Sequence, residues 1–315
     1  MKLILSAPSK TFLLGEYAAM LGHPALILNT QPYFELHIER GDFRINGIEP
    51  QSPAGKFISN FQDIFAGLRI NFIDPHQLQG GLGASSAQFL LIYSLSQTLQ
   101  TAGLDFAAIQ DKLSLLKAEQ QSFIQGLLKT YLEYAWNGEG LAPSGADLIG
   151  QFFGKLTWVD NSTQMNQCFN WPFAELSWVL LRTGTKVATH QHLKQLANIP
   201  GQAFAGFLNL AWQGLQDVDA AKFIQAVKGY AEVLSQHGYV IESTQNLLAK
   251  LSKLSYILVA KGCGALGADI VLCIVDKRFL NSFYHWLEQQ HIDYLPSTMG
   301  YGMNGILATI TLDKH

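Results

Sequence analysis

Several short blocks of this sequence hold residue types suited to phosphate chemistry. The fullest is Gly81-Leu82-Gly83-Ala84-Ser85-Ser86, directly before an apolar stretch with helical spacing. Glycines let successive backbone N–H groups curl into a concave nest, and a helix start adds about half a positive charge. The hydroxyls of Ser85 and Ser86 could donate to phosphate oxygens or ligate Mg2+, a cation that takes hard oxygen donors. The competing reading is a turn in which Ser85 or Ser86 only caps the helix. No Gly-Lys-Ser/Thr follows, so this is not a Walker A loop, and no convincing strand precedes it, so it is not a dinucleotide fingerprint.

Four other blocks accompany it. Lys10 follows Ala7-Pro8-Ser9, in what reads as a short turn after a first strand; taken singly it is an ordinary surface lysine. Asp147 closes Pro143-Ser144-Gly145-Ala146-Asp147 and reads as the start of a short helix, where aspartate often serves as a cap. Gly262-Cys263-Gly264-Ala265-Leu266-Gly267 reads as a tight turn between two buried strands, with Asp269 just beyond. Thr183-Gly184-Thr185-Lys186-Val187-Ala188-Thr189 reads as a loop from a strand into a helix that Thr189 caps.

The elements that must position these residues follow from hydrophobic periodicity. Strands are expected over 2–7, 24–29 and 33–39. A helix is expected over 55–68, where Phe57, Ile58, Phe61, Ile64 and Phe65 share a face. A long helix should run from the glycine-serine loop to about residue 99, and two more should fill 105–136. Residues 151–159 and 178–181 read as strands, and 191–251 as helical with breaks at Pro200-Gly201 and Gly238. Strands over 256–260, 270–275 and 305–312, with a helix over 279–290, complete the chain.

In order and together, four blocks resemble the signature motifs of the GHMP kinases, the family of galactokinase, homoserine kinase, mevalonate kinase and phosphomevalonate kinase. They are Pro8-Ser9-Lys10 with Gly15-Glu16-Tyr17, Gly81 to Ser86, Pro143 to Asp147, and Lys261 to Asp269, and the resemblance spans residues 7–275. It implies an α+β, two-domain fold: an N-terminal mixed domain over 1–165 carrying the phosphate loop, and a ferredoxin-like C-terminal domain over 166–315. It implies ATP and Mg2+ as cofactors and a small-molecule acceptor. Asp147 would be the catalytic carboxylate, with Lys10 beside it to lower its pKa and stabilise charge in the transition state. Gly81, Leu82, Gly83, Ala84, Ser85, Ser86 and Ala87 would bind ATP phosphates. Ser85 would ligate Mg2+ with a glutamate, Glu139 or else Glu119. Acceptor contacts would come from Glu16, Tyr17, Ser144, Gly145, Thr183, Lys186, Thr189, Gly264, Ala265 and Asp269.

The sequence departs from the family pattern at Ser9, Ala84, Leu266 and Ala268, where relatives often carry glycine or serine. Leu266 is expected to need an unstrained φ, giving the last glycine loop a different shape. Tyr17, Asp269 and the spacing from Thr183 to Thr189 resemble phosphomevalonate kinases; the Pro143 to Asp147 block resembles mevalonate kinases. The expected acceptor is phosphomevalonate, with mevalonate as the alternative; an inactive ligand-binding relative is the reading of another class.

Composition bounds the rest. Of 315 residues, 14% are charged and 48% hydrophobic, which implies a large core and excludes disorder. A net charge of −3 leaves no broad positive surface for nucleic acid. Cys168, Cys263 and Cys273 form no CxxC pair and read as buried hydrophobes in a reducing compartment. Neither a signal-peptide core nor a membrane helix is visible, so a cytoplasmic monomer or homodimer is expected.

Overall fold

Leu3, Leu5 and Ala7 are buried and alternate with half-buried neighbours, the two-residue period of a strand with one face on a core. The computed structural model describes residues 1–77, 80–118, 120–184, 201–297 and 304–311. In it, this strand, β1 (Lys2–Leu14), continues past Ala7, so Lys10 lies inside a strand and not in the expected turn. The cause is β2 (Ala25–Arg40), a single long strand where two were expected, which pairs antiparallel with β1 along its length. A register shift between Pro8 and Ser9 accommodates a proline that has no N–H to donate.

β2 also pairs with β4 (Leu68–Ile73) and β5 (Leu156–Asp160). With β3 (Arg44–Asn46), β6 (Met165–Phe169) and β11 (Leu307–Thr311) they form a seven-stranded sheet in the order β11-β1-β2-β4-β3, with β5 beside β2 and β6 beside β5. The helix expected over 55–68 is cut short: α1 (Pro53–Asn60) gives way to a 3₁₀ turn over Gln62–Phe65 and then to β4. In β4, Leu68, Ile70 and Phe72 are buried while Arg69, Asn71 and Ile73 are exposed, a clean strand alternation that the helical spacing just before it obscured.

The helices α2 (Ala84–Ala102), α3 (Phe106–Ala118), α4 (Gln120–Ala135) and α5 (Ala146–Phe153) follow. Helix α5 occupies part of the segment expected as strand 151–159; the strand there is β5. Phe89, Leu91, Leu95 and Phe152 from these helices meet Leu3, Leu5, Phe34 and Leu36 of the sheet in one core.

The second sheet contains β7 (Leu176–Arg182), β8 (Ile257–Cys263), β9 (Ile270–Asp276) and β10 (Tyr294–Pro296). All its pairings are antiparallel, in the order β10-β7-β9-β8. Taken in chain order this is fourth-first-third-second, the ferredoxin-like order expected. Helices α6 (Gly201–Gln216), α7 (Ala220–Gln236) and α8 (Glu242–Leu251) lie between β7 and β8, and α9 (Leu280–Gln289) between β9 and β10. The boundary expected at 165/166 falls at the start of β6, a strand of the first sheet, and β11 returns to that sheet from the other end of the chain.

A second core joins the two sheets. Leu13, Leu26, Leu28 and Trp158 pack with Trp178, Leu180, Ile270, Phe204 and Tyr230, and Leu82 of the glycine loop is buried among them. Each such leucine contributes about 1.5–3 kcal/mol when fully buried. The glycine loop is thus fastened to the seam between the sheets. No helix among the described residues is long and apolar enough to cross a membrane.

Candidate active site

The glycine loop has the conformation its composition suggests. Gly81 and Gly83 have φ of 85° and 89°, the left-handed region that side chains rarely adopt. A β-carbon on Gly81 would lie 2.4 Å from Asp269 Cβ, so the loop rests directly on the segment after the third glycine block. Gly83 occupies the cap position of α2 with no side chain capping the helix there. The two serines separate clearly. Ser86 is buried and donates its hydroxyl to Gly83 O at 3.0 Å, while Ser85 is exposed on the first turn. Ser86 therefore shapes the loop, and Ser85 presents its hydroxyl at the positive end of a 19-residue helix.

Lys10 lies against this loop. Its backbone N–H donates to Leu82 O at 2.9 Å, and its ammonium stands 3.8 Å from Asp147 Oδ2 and 4.7 Å from the centre of the Phe12 ring. The Lys10 and Asp147 side chains are 11% and 23% exposed, so the pair is largely shielded yet reachable. Asp147 is not the cap of α5. Gly145 holds the cap position with φ of 67°, and the Ser144 hydroxyl accepts from Ala146 N at 3.3 Å. Asp147 lies one residue inside the helix, with Oδ1 accepting from Leu148 N and Oδ2 toward Lys10.

Gln151, one helical turn beyond Asp147, has a part that sequence reasoning missed. It is fully buried and donates to Pro8 O at 2.7 Å and Gly83 O at 3.2 Å, tying the strand of Lys10 to the glycine loop. A glutamine on the same face as Asp147, four residues on, was the available signal.

The third glycine block packs beneath the loop. Gly264 has φ of 86°, and a β-carbon there would lie 2.3 Å from Asp269 Oδ2, so Asp269 bridges both glycine segments. Thr183 donates its hydroxyl to Ala268 O, and Ala265 is buried. Leu266 corrects an expectation: it adopts the left-handed conformation, φ 53° and ψ 26°. Its N–H donates to the Tyr17 hydroxyl and its carbonyl accepts from Ile241 N, both at 3.0 Å. These two bonds hold a conformation that costs a leucine about 1–2 kcal/mol.

Other expected contacts are used internally. Glu16 forms a buried ion pair with Lys261, their side chains 6% and 1% exposed. Tyr17 stacks on Tyr239 besides accepting from Leu266. Glu139 is exposed after α4 and accepts from Asn137 Nδ2 at 3.2 Å. Lys186, Thr189 and Glu119 lie outside the described residues.

No protein-family model matches the sequence, and no curated protein sequence matches it either. Solved structures do match in shape. Streptococcus pneumoniae phosphomevalonate kinase superposes with a TM-score of 0.69 at 17% identity, covering 94% of this chain and 98% of that one. Lactococcus lactis galactokinase, complexed with galactose, gives 0.68 at 12% identity over 98% and 95%. Methanococcus jannaschii mevalonate kinase gives 0.64 at 14% identity over 93% and 96%. The chain has the GHMP kinase fold.

Within that fold the donor set can be tested against Mg2+ and a triphosphate. Among the described residues no three His, Cys, Asp or Glu side chains gather into a metal cage. What the glycine loop offers is one exposed hydroxyl, Ser85, with the Asp147 carboxylate beyond Lys10. That suits a cation which keeps its waters and is bound largely through substrate phosphates, as Mg2+ is.

Proposed function

We propose that this chain is an ATP-dependent small-molecule kinase that transfers the γ-phosphoryl group to an acceptor of the mevalonate route to isoprenoids, phosphomevalonate in the first place and mevalonate in the second. The observation that carries this reading is the Lys10–Asp147 pair, 3.8 Å apart and fastened by Lys10 N–H to the glycine loop.

The loop N–H groups and the start of α2 bind the triphosphate, and the exposed Ser85 hydroxyl adds a ligand for the metal. Mg2+ bound there would neutralise charge along the phosphates. Asp147 Oδ2 orients an acceptor hydroxyl and takes its proton as the new P–O bond forms. Lys10, 3.8 Å from that carboxylate, meets the charge developing on the transferred group. An acceptor that attacks through a phosphate oxygen arrives ionised, and then Lys10 does most of the positioning.

Asp269 and the spacing that begins at Thr183 support phosphomevalonate. The Pro143 to Asp147 block supports mevalonate. Tyr17 directly after Gly15-Glu16 also supports phosphomevalonate. The exposed Ser85 and the Lys10–Asp147 contact speak against an inactive relative. An ADP-release assay with Mg-ATP and four acceptors (phosphomevalonate, mevalonate, galactose and homoserine) tests the reading. Turnover should be fastest with phosphomevalonate. Mg-ATP binding by calorimetry without turnover on any acceptor would favour the inactive relative, and no Mg-ATP binding would overturn the kinase reading.

A further inference from the structure

Ser9, immediately before Lys10, is fully buried, and its hydroxyl begins a chain of hydrogen bonds that leaves the first sheet. Ser9 Oγ donates to Pro32 O at 2.5 Å and meets His76 Nε2 at 2.6 Å. His76 Nδ1 meets Arg182 Nη2 at 2.9 Å. Donor inventory fixes the direction. A guanidinium only donates, so Nδ1 accepts; the neutral imidazole then carries its proton on Nε2 and donates to Ser9, whose own proton goes to Pro32 O. Burial, reinforced by the Arg182 charge, pushes His76 down to about 4, which keeps it neutral near pH 7. The chain thus runs from the strand of Lys10, through the segment after β4, to the last residue of β7.

Arg182 lines a cavity of about 740 Å3 whose wall also includes Gly80 at the head of the glycine loop, Thr183, Lys250 and Asp269. Two carboxylates, Asp269 and Asp293, face two cations, Arg182 and Lys250, on this wall. Arg182 Nη1 is 3.5 Å from Asp293 Oδ2, on a side chain 66% exposed, a loose pair of little strength. Asp269 is turned onto Gly264.

We propose that Arg182 is the specificity-determining residue of this cavity, taking an anionic group of the acceptor, carboxylate or phosphate, in its guanidinium fork, with His76 and Ser9 as positioning residues that fix the fork relative to Lys10. This rests on the kinase reading above. A planar fork matches two oxygens of a carboxylate or phosphate. A neutral imidazole orients the guanidinium without consuming its charge, which a carboxylate in the same place would do. The departure at Ser9 from the family's usual glycine acquires a reason: the hydroxyl anchors His76. A neutral sugar offers Arg182 hydroxyl oxygens but no opposite charge.

Calorimetry on the full chain with phosphomevalonate, mevalonate and galactose, and separately with Mg-ATP, tests this. The wild type should bind an anionic acceptor and not galactose. Arg182→Gln should weaken that binding by about tenfold or more, with Arg182→Lys between, while Mg-ATP still binds. A loss confined to phosphomevalonate assigns the phosphate; a loss on both anions assigns the carboxylate they share. His76→Leu should raise KM for the acceptor several-fold with kcat within about twofold, and His76→Gln, which can accept from Arg182 and donate to Ser9, should restore most of it. Galactose binding tighter than either anion, anion binding unmoved by Arg182→Gln, or His76→Gln as damaging as His76→Leu would each overturn the proposal and leave the kinase reading standing. Wild-type protein that binds no Mg-ATP overturns both.

Discussion

Gly83 stands directly against Lys10: a β-carbon on Gly83 would lie 2.8 Å from Lys10 Cγ and 2.9 Å from Lys10 Cε. The glycine serves both the left-handed turn and the close approach of the glycine loop to Lys10. Gly22 separates the two effects, because its φ is 83° but nothing lies within 4 Å of where its β-carbon would be. Alanine at either site should cost about 1–2 kcal/mol from the backbone alone. Only Gly83→Ala should also displace Lys10, lowering Mg-ATP affinity and turnover beyond what its loss of stability explains. Equal losses of turnover in the two variants would mean that the Gly83–Lys10 contact has no bearing on catalysis.

The sequence shows the parts of this site that are local and hides those that are not. Gly81, Gly83 and Ser85 lie in one block whose turn chemistry is written in adjacent residues, and Asp147 follows the glycine that opens its helix, whereas Lys10, read as part of a turn, lies inside β1. Gln151 meets Pro8, 143 residues away, and Lys261 meets Glu16, 245 residues away, so periodicity has no access to either pair. For the same reason the sequence, which reads Glu16 as an acceptor contact, does not show its buried ion pair with Lys261. Leu266 shows the opposite error. Intrinsic preference argued for a relaxed φ, but the hydrogen bonds Leu266 donates to Tyr17 and accepts from Ile241 outweigh it. The order of the second sheet was legible only through the family resemblance, and the short strands β3, β6 and β10 carry too few residues to show a period.

Asp147→Asn keeps the shape of the side chain but can neither take a proton nor oppose the Lys10 charge. With a hydroxyl acceptor, kcat should fall by about 10²–10⁴-fold while thermal stability and Mg-ATP binding hold. With a phosphate acceptor the fall should be smaller, because no proton needs removal. The serines give a companion contrast: Ser85→Ala should weaken Mg-ATP binding with little change in Tm, whereas Ser86→Ala, which loses a bond inside the loop, should lower stability by about 0.5–1.5 kcal/mol. A variant of Asp147 that retains more than half of wild-type turnover would reduce the residue to a feature of the helix start.

Glu16 and Lys261 are buried together, so removing one charge strands the other. Lys261→Met should destabilise the protein by about 3–5 kcal/mol, and the double variant Glu16→Leu/Lys261→Met should recover most of that loss. Urea midpoints measure both. Because the pair braces the last glycine loop through the Lys261 contact with Gly262 O at 3.2 Å, the double variant should keep its acceptor KM within a few-fold of wild type. A stable double variant whose acceptor KM rises far beyond that would place Glu16 at the acceptor site.

His76 gives stability a dependence on pH. Its surroundings are Arg182 from β7, Asp74 two residues earlier, Ser9 from β1 and the edge of the Phe34 ring at 5.4 Å. Burial first, then Arg182, lower it from 6.5 to about 4, with Asp74 opposing. Above pH 6.5 neither the folded nor the unfolded chain holds this proton. Between 6.5 and 4 only the unfolded chain takes it up, so stability falls as pH falls; below 4 both forms hold it and the loss stops growing. The full effect is about 3 kcal/mol at roughly 1.4 kcal/mol per pKa unit. His76→Gln keeps the hydrogen bonds but cannot titrate, so its stability should decline less steeply than wild type between pH 6.5 and 5. Groups titrating elsewhere act equally on both proteins and cancel in the comparison. Denaturant titrations at several pH values in that window decide it: parallel curves would show that His76 is not held neutral by the fold, and with that the orientation of Arg182 through a neutral imidazole would fail as well.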